Sequence, residues 1–344
     1  MTGRLSNQPE TEVPEVDLNR RKKLLDGIDV ARLSGLEIGA LCNPVVPRHL
    51  GEIRYVDYAD TAFLRKRYAN DPAVDVDKIV DVDFIWGREG LEEITGGRKF
   101  DYIVASHVIE HVPDLVTWLK ELRSVLKPGG TIRLAVPDRR YTFDILRAES
   151  RMSDVLAAFV QKARRPLPAA LIDHVLNVAA VDATAAWNGT LETSRIRRQH
   201  GVADALNVAR DSLENGTYHD VHCWVFTPRS FIELFEQMAA LELVDFACDR
   251  FFDTSRYQIE FFASLGLAAS HDEARRSWAA VKQELVPESD WRPAAPAASN
   301  PSVASGATGE LVRLDQGRFA RALRTRFWKR SDRPRSTDVA GTDE

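Results

Sequence analysis

Between residues 35 and 137 the chain alternates short apolar runs with longer amphipathic stretches. The runs at 36–39, 53–57, 78–82, 102–106 and 131–136 have the length and β-rich make-up of buried strands. Strands alternating with helical stretches predict βαβ units and a parallel sheet. One helix is sharply specified. Asp114 caps it, and Leu115, Trp118, Leu119, Leu122, Val125 and Leu126 recur at three- and four-residue spacing along one face. Lys127-Pro128-Gly129-Gly130 is expected to stop it, because proline disfavours continuation and glycine accepts the positive φ of a helix end.

From 138 to 226 the pattern becomes helical, with apolar faces at Leu156, Ala157, Phe159 and Val160 and at Leu171, Ile172, Val175 and Leu176. The stretch is too long for an ordinary connection and too apolar for a linker, which predicts a helical insertion after the fifth strand. Thr227-Pro228 opens a further helix through Leu241. Strands at 243–248 and 257–264 would then complete the sheet. The expected organisation is a disordered leader (1–16), a main domain (17–285), a flexible Pro/Ala/Ser linker (286–310) and a basic tail (311–344). A short basic helix at 18–25 leads into the first strand.

Composition narrows the setting. A net charge of −5 over 344 residues argues against a general nucleic-acid binder. Three scattered cysteines, Cys42, Cys223 and Cys248, suit a reducing compartment rather than a disulfide framework. The polar N-terminus lacks the apolar stretch of a secretory signal, and no apolar run has the length of a membrane span, so the cytoplasmic address is the expectation. The tail from Arg313 to Arg330 is basic enough to contact an anionic membrane surface or an acidic partner.

Three acids fall where the predicted strands end: Glu37, Asp57 and Asp83. Open α/β sheets bind ligands beyond the carboxyl ends of their strands. An ionised carboxylate there accepts from both hydroxyls of an adenosine ribose. An acid after the third strand can accept from the adenine amino group, with Phe84 offering a face to the ring. Gly39 lets the backbone approach the ligand. The pattern predicts a nucleoside site.

The stretch Asp101-Tyr-Ile-Val-Ala-Ser106-His107-Val-Ile-Glu110-His111-Val, followed by Leu126-Lys-Pro-Gly-Gly130, resembles the class I S-adenosylmethionine-dependent methyltransferases. The resemblance covers residues 35–137. It implies a Rossmann-like α/β fold: a seven-stranded, mostly parallel sheet with helices on both faces and the last strand antiparallel. It also implies S-adenosylmethionine as cofactor, held by Glu37, Gly39, Ala40, Asp57, Asp83 and Phe84, with Ser106 and His107 beside the adenine or sulfonium. One motif departs from the family. The usual glycine string of the first loop is replaced by Gly39-Ala40-Leu41-Cys42-Asn43-Pro44, which leaves Glu37 to reach the cofactor's amino group. The absence of GxGxxG also disfavours NAD.

Methyl transfer to an acceptor oxygen or nitrogen calls for positioning and, for a hydroxyl, a base. His107, His111, His219 and His222 are the candidate bases. Asp138, Arg140 and Tyr141 follow the fifth strand and are candidate substrate contacts, Arg140 pairing with a substrate anion or with Asp144. A small-molecule or saccharide acceptor is expected, with no nucleic acid and no metal. A non-catalytic cofactor-binding scaffold is the alternative suggested by the altered first loop. His107-Val-Ile-Glu110-His111 also fits the HxxEH pattern of zinc peptidases, a remote alternative that needs a continuous helix. Pro113 and the preceding strand oppose one.

Overall fold

A computed structural model describes residues 15–285 apart from Thr193 and Arg195. The expected linker, the basic tail and all but the last two residues of the leader lie outside the described residues. The strands are β1 (Gly35–Ile38), β2 (Ile53–Asp57), β3 (Phe84–Ile85), β4 (Phe100–Ser106), β5 (Leu126–Pro137), β6 (Phe246–Phe252) and β7 (Glu260–Leu267). They form one sheet in the order β3-β2-β1-β4-β5-β7-β6, parallel throughout except that β7 runs antiparallel to both neighbours. This is the seven-stranded Rossmann-like sheet that the sequence predicts.

Period-two patterning places apolar side chains on both faces of the central strands. Leu36, Ile38, Ile103, Ala105, Ile132, Leu134 and Val136 face one layer, and Tyr102, Val104 and Ala135 face the other. The helices, in chain order, are α1 (Glu15–Leu24), α2 (Thr61–Tyr68), α3 (Leu91–Ile94), α4 (Leu115–Ser124), α5 (Met152–Val160), α6 (Pro168–Asn177), α7 (Ala183–Trp187), α8 (Val202–Glu214), α9 (Pro228–Ala240) and α10 (His271–Glu284). The thicker layer holds α4, α9 and α10, whose Trp118, Phe231, Phe235 and Trp278 join the first cluster. Leu24 of α1 joins the second. α4 begins where expected, with Asp114 accepting from the Thr117 amide. Between β5 and α9 the described residues form helices and loops that return to the strand tips through a bridge between Asp138 and Phe226. Among the described residues no helix is long and apolar enough to cross a membrane.

Several boundaries differ from expectation, each for a local reason. Residues 78–82 are not a strand. Asp75 caps a short turn at Val76–Lys78, and the amides of Val80 and Val82 donate to Leu41 O and Thr61 Oγ1 instead of to β2. Pairing with β2 begins only at Asp83, so Asp83 precedes β3 rather than ending a strand. Lys127-Pro128-Gly129-Gly130 does not stop α4, which already ends at Ser124 through the Val125 amide. The four residues instead form the irregular start of β5, which pairs Leu126 with Phe100 before the register shifts. In α5 the buried residues are Val155 and Ala158, and Val160 is 79% exposed. β6 begins three residues later than predicted, because Leu243 is taken up by the turn after α9, its amide donating to Met238 O, and β7 likewise begins three residues later, at Glu260.

The innermost pairing depends on a missing side chain. Gly35 faces Tyr102 in register, and a Cβ there would lie 2.3 Å from the tyrosine ring. Gly35→Ala should therefore lower stability by roughly 1–3 kcal/mol in urea denaturation. Adding Tyr102→Leu should restore part of that loss. A wild-type midpoint for Gly35→Ala alone would contradict the contact.

Candidate functional site

The crevice of a doubly wound sheet opens where strand order reverses, here between the tips of β1 and β4. At the β1 tip Gly39 adopts φ +67°, its amide donating to Val56 O. A Cβ on Gly39 would meet only Val108 Cγ2, at 3.3 Å. Asp57 ends β2 with its carboxylate half-buried and accepting from the Tyr58 amide at 2.7 Å. Beside it stand two large side chains that reach solvent, Tyr58 (45% exposed) and Ile85 (49%), the latter in register with Asp57. Phe84 is half-buried against the main core. An acceptor-only carboxylate, a bare backbone approach and exposed apolar faces together fit an adenosine-type ligand.

The three acids do not converge on that crevice. Glu37 is 2% exposed, its Oε1 accepting from the Val45 amide at 2.7 Å and Oε2 from the Val46 amide at 3.0 Å. It fastens the loop that follows β1, in which Ala40 is half-buried and Leu41 is left-handed, so both its oxygens are engaged by that loop's amides. Asp83 is likewise engaged, by Arg48, Arg54 and the Tyr55 amide. Those partners outweigh burial and hold its carboxyl below the usual range. Asp57 alone remains at the crevice.

Past β4 a second, denser polar cluster forms. Ser106 accepts from Arg20, and His107 turns left-handed at φ 52° with its amide on Ala135 O. His107 Nε2 donates to Glu260 Oε2 at 2.7 Å, and Arg20 donates to Glu260 Oε1 at 2.7 Å. Burial alone would raise Glu260, but Arg20 and His107 bring it down to about 2. Next comes a tight turn, Ile109–His111, whose Glu110 carbonyl accepts from the amides of Cys223 and Trp224. That tie draws the returning insertion onto the turn. The HxxEH stretch is therefore not on a continuous helix, and the zinc-peptidase arrangement is not formed.

His111 Nδ1 lies 2.8 Å from Asp220 Oδ1, and His222 Nδ1 donates to Asp144 Oδ2 at 2.5 Å. Asp144 is buried and also accepts from Arg147. Burial opposes its ionisation, yet His222 and Arg147 keep its carboxyl far below the usual range. His174, fully enclosed, is held well below its ordinary value by burial and by Arg147. Its Nδ1 accepts from Arg147 and the His222 amide, which makes it a neutral structural link. Three of the four candidate histidines, His107, His111 and His222, thus surround Glu110. His219 does not join them, its Nε2 donating to Asp211 at 2.8 Å.

The predicted acceptor contacts after β5 are internal. Asp138 is fully buried, accepting from Arg140 and Thr254. Arg140 pairs with Asp138 and not with Asp144. Tyr141 is buried and stacked on Trp187 with ring centroids 3.9 Å apart. Sequence reasoning missed Arg20, Arg147, His174 and Glu260. Two of these carry a signal: His174 interrupts the apolar stripe of α6, and Glu260 opens an otherwise apolar strand.

The sequence profile of a methyltransferase domain matches residues 58–239. The match begins after β1, beyond the loop that lacks the usual glycines. No curated protein matches the chain. Among solved structures, the chain resembles an S-adenosylmethionine-dependent methyltransferase from Mesorhizobium loti, with 12% identity, 73% of this chain and 97% of that one covered, and a TM-score of 0.35. It resembles the DhpI–SAH complex at 14% identity over 69% of this chain and 77% of that one, TM-score 0.32. It also resembles the CcbJ methyltransferase from Streptomyces caelestis at 17% identity over 40% of this chain, TM-score 0.26, spanning 59% of that protein's length. The fold assignment rests on strand order and not on these likenesses.

Glu37 yields a pH prediction. Burial pushes it from its ordinary 4.5 up to about 7, against the two amide hydrogen bonds. A raised folded value means its contribution is fully present below about 4.5 and lost as pH rises through 7. Between pH 5 and 8 the wild type should lose on the order of 3 kcal/mol that Glu37→Gln does not lose. Parallel stability profiles for the two proteins would show instead that Glu37 is ionised throughout.

Proposed function

We propose that this chain, which belongs to the methyltransferase-domain family and uses S-adenosylmethionine as methyl donor, methylates an oxygen or nitrogen of a small-molecule or saccharide acceptor. The observation that carries this reading is His107, set at the tip of β4 with its imidazole held by the ionised Glu260. A histidine whose Nε2–H is fixed on a carboxylate carries its lone pair on Nδ1, which here lies 3.6 Å from Glu110 Oε1. That is the group an acceptor hydroxyl or ammonium needs in order to lose its proton.

Asp57 and the backbone at Gly39 would hold the donor's adenosine, with Tyr58 and Ile85 against its ring. The bound donor supplies a methyl group already activated on a sulfonium, so the protein's work is chiefly placement. Arg20 and Glu260 orient His107. The turn at Ile109–His111, tied to Cys223 and Trp224, brings the helical segment over the strand tips, where an acceptor can be enclosed and water excluded. An acceptor taken beneath that segment would be a small molecule or the end of a glycan rather than a folded macromolecule.

Incubation with tritiated S-adenosylmethionine and a panel of hydroxylated metabolites and oligosaccharides tests the reading. Label should enter a small, alkali-stable product. His107→Asn should lower turnover about 10²–10⁴-fold while S-adenosylhomocysteine binding persists, and His219→Asn should be near wild type. Binding of the donor without transfer to any acceptor would favour the non-catalytic scaffold, for which the altered β1 loop speaks. Label confined to protein or nucleic acid would overturn the proposed acceptor class.

A further inference from the structure

We propose that Glu110, His111 and His222 form a site for one divalent cation of the zinc type, reversing the expectation that no metal is bound. The starting observation is Glu110. Its side chain is fully buried, and neither carboxylate oxygen accepts a hydrogen bond from the described residues. A buried carboxylate that no hydrogen bond satisfies is strongly disfavoured and calls for a cation beside it.

The surroundings supply donors in place of hydrogen bonds. His111 Nε2 lies 3.8 Å from Glu110 Oε1, and His222 Nε2 lies 4.0 Å from the same oxygen. One donor atom from each of the three residues falls within 4.8 Å of the others. A protonated imidazole answering Glu110 directly would close to about 2.8 Å, the length of a charge-assisted hydrogen bond. Donor atoms sharing a tetrahedral zinc at bonds of 2.0–2.2 Å stand about 3.4 Å apart. The two Glu110–histidine distances lie nearer the second arrangement, and the three donors, within 4.8 Å of one another, would draw closer around a bound ion.

The outer contacts agree with this. A metal-binding histidine characteristically gives its second ring nitrogen to a carboxylate, which fixes the ring and strengthens the donor. His222 has such a partner, its Nδ1 donating to Asp144 at 2.5 Å, and His111 Nδ1 has the Asp220 carboxylate beside it at 2.8 Å as an ion pair. Asp144 is fixed in turn by Arg147. Two elements far apart in sequence, the turn after β4 and the segment before α9, are clamped together by the amides of Cys223 and Trp224 on Glu110 O, as a shared ion would require. Three protein donors leave a coordination position for water or an acceptor oxygen. The ligand set differs from the helical HxxEH arrangement: the grouped donors are Glu110, His111 and His222, while His107 gives Nε2 to Glu260 and has Nδ1 3.6 Å from Glu110 Oε1.

The test needs neither methyl donor nor acceptor, so it fails or succeeds separately from the methyltransferase reading. The full chain, stripped with chelator and then dialysed against zinc, should retain about one equivalent by elemental analysis. Cobalt(II) in its place should give visible d–d absorption. Glu110→Gln and His222→Ala should lose that equivalent. Asp220→Asn, at a partly exposed outer contact, should weaken affinity about tenfold or more. His219→Asn should keep full occupancy. Should Glu110→Gln or His222→Ala unfold, the wild type decides: zinc must raise its melting temperature and Asp220→Asn must blunt that rise. Retention below about 0.1 equivalent by the wild type, or undiminished retention by Glu110→Gln, overturns the site.

Discussion

The reversal of β7 is the constraint on which the working end of this molecule depends. β7 inserts antiparallel between β5 and β6, and it pairs Glu260 with Pro137, the last residue of β5. A strand that begins where its parallel neighbours end delivers its first side chain to their carboxyl edge. Glu260 therefore arrives beside Ser106 and His107, at the tip of β4. Arg20 reaches the same place from α1 and keeps Glu260 ionised in a buried setting. Without the reversal, the edge that binds ligands in this class of sheet would hold His107 but no carboxylate to orient it.

Buried carboxylates recur through the site, and each is answered differently. Glu37 takes two backbone amides and builds the β1 loop that glycines build elsewhere in the family. Asp138 takes Arg140 and Thr254, locking the turn after β5. Asp144 takes Arg147 and His222. Glu260 takes Arg20 and His107. Among the described residues Glu110 has histidine nitrogens 3.6–4.0 Å away and no hydrogen bond, which is why the proposed ion is placed there. Because burial penalises every unpaired charge, these pairings fix geometry more than they add stability.

The sheet was legible because β-branched runs and amphipathic helices alternate in order, and the Asp114 cap could be placed to the residue, although the helix ends at Ser124, before Val125 and Leu126 of the expected stripe. The acidic triad was misread for a local reason. Residues 78–82 look like a strand, yet their amides go to Leu41 and Thr61, so Asp83 enters β3 instead of leaving it. Glu37 was read as facing the ligand because alternation shows which residues share a face and not which face meets the crevice. The Glu110 cluster was only half visible. His107, His111 and His222 stood out as polar residues in short motifs, but their grouping depends on contacts among residues 110, 144, 220 and 260, which no local pattern encodes.

Asp57 is the one member of the predicted triad left at the crevice, and the account stands on its holding the donor's ribose. Calorimetric titration with S-adenosylhomocysteine tests this most directly. Wild type should bind one equivalent, Asp57→Asn should weaken binding about tenfold or more, and Asp83→Asn should bind as the wild type does. No uptake by the wild type, or full affinity in Asp57→Asn, would contradict the account.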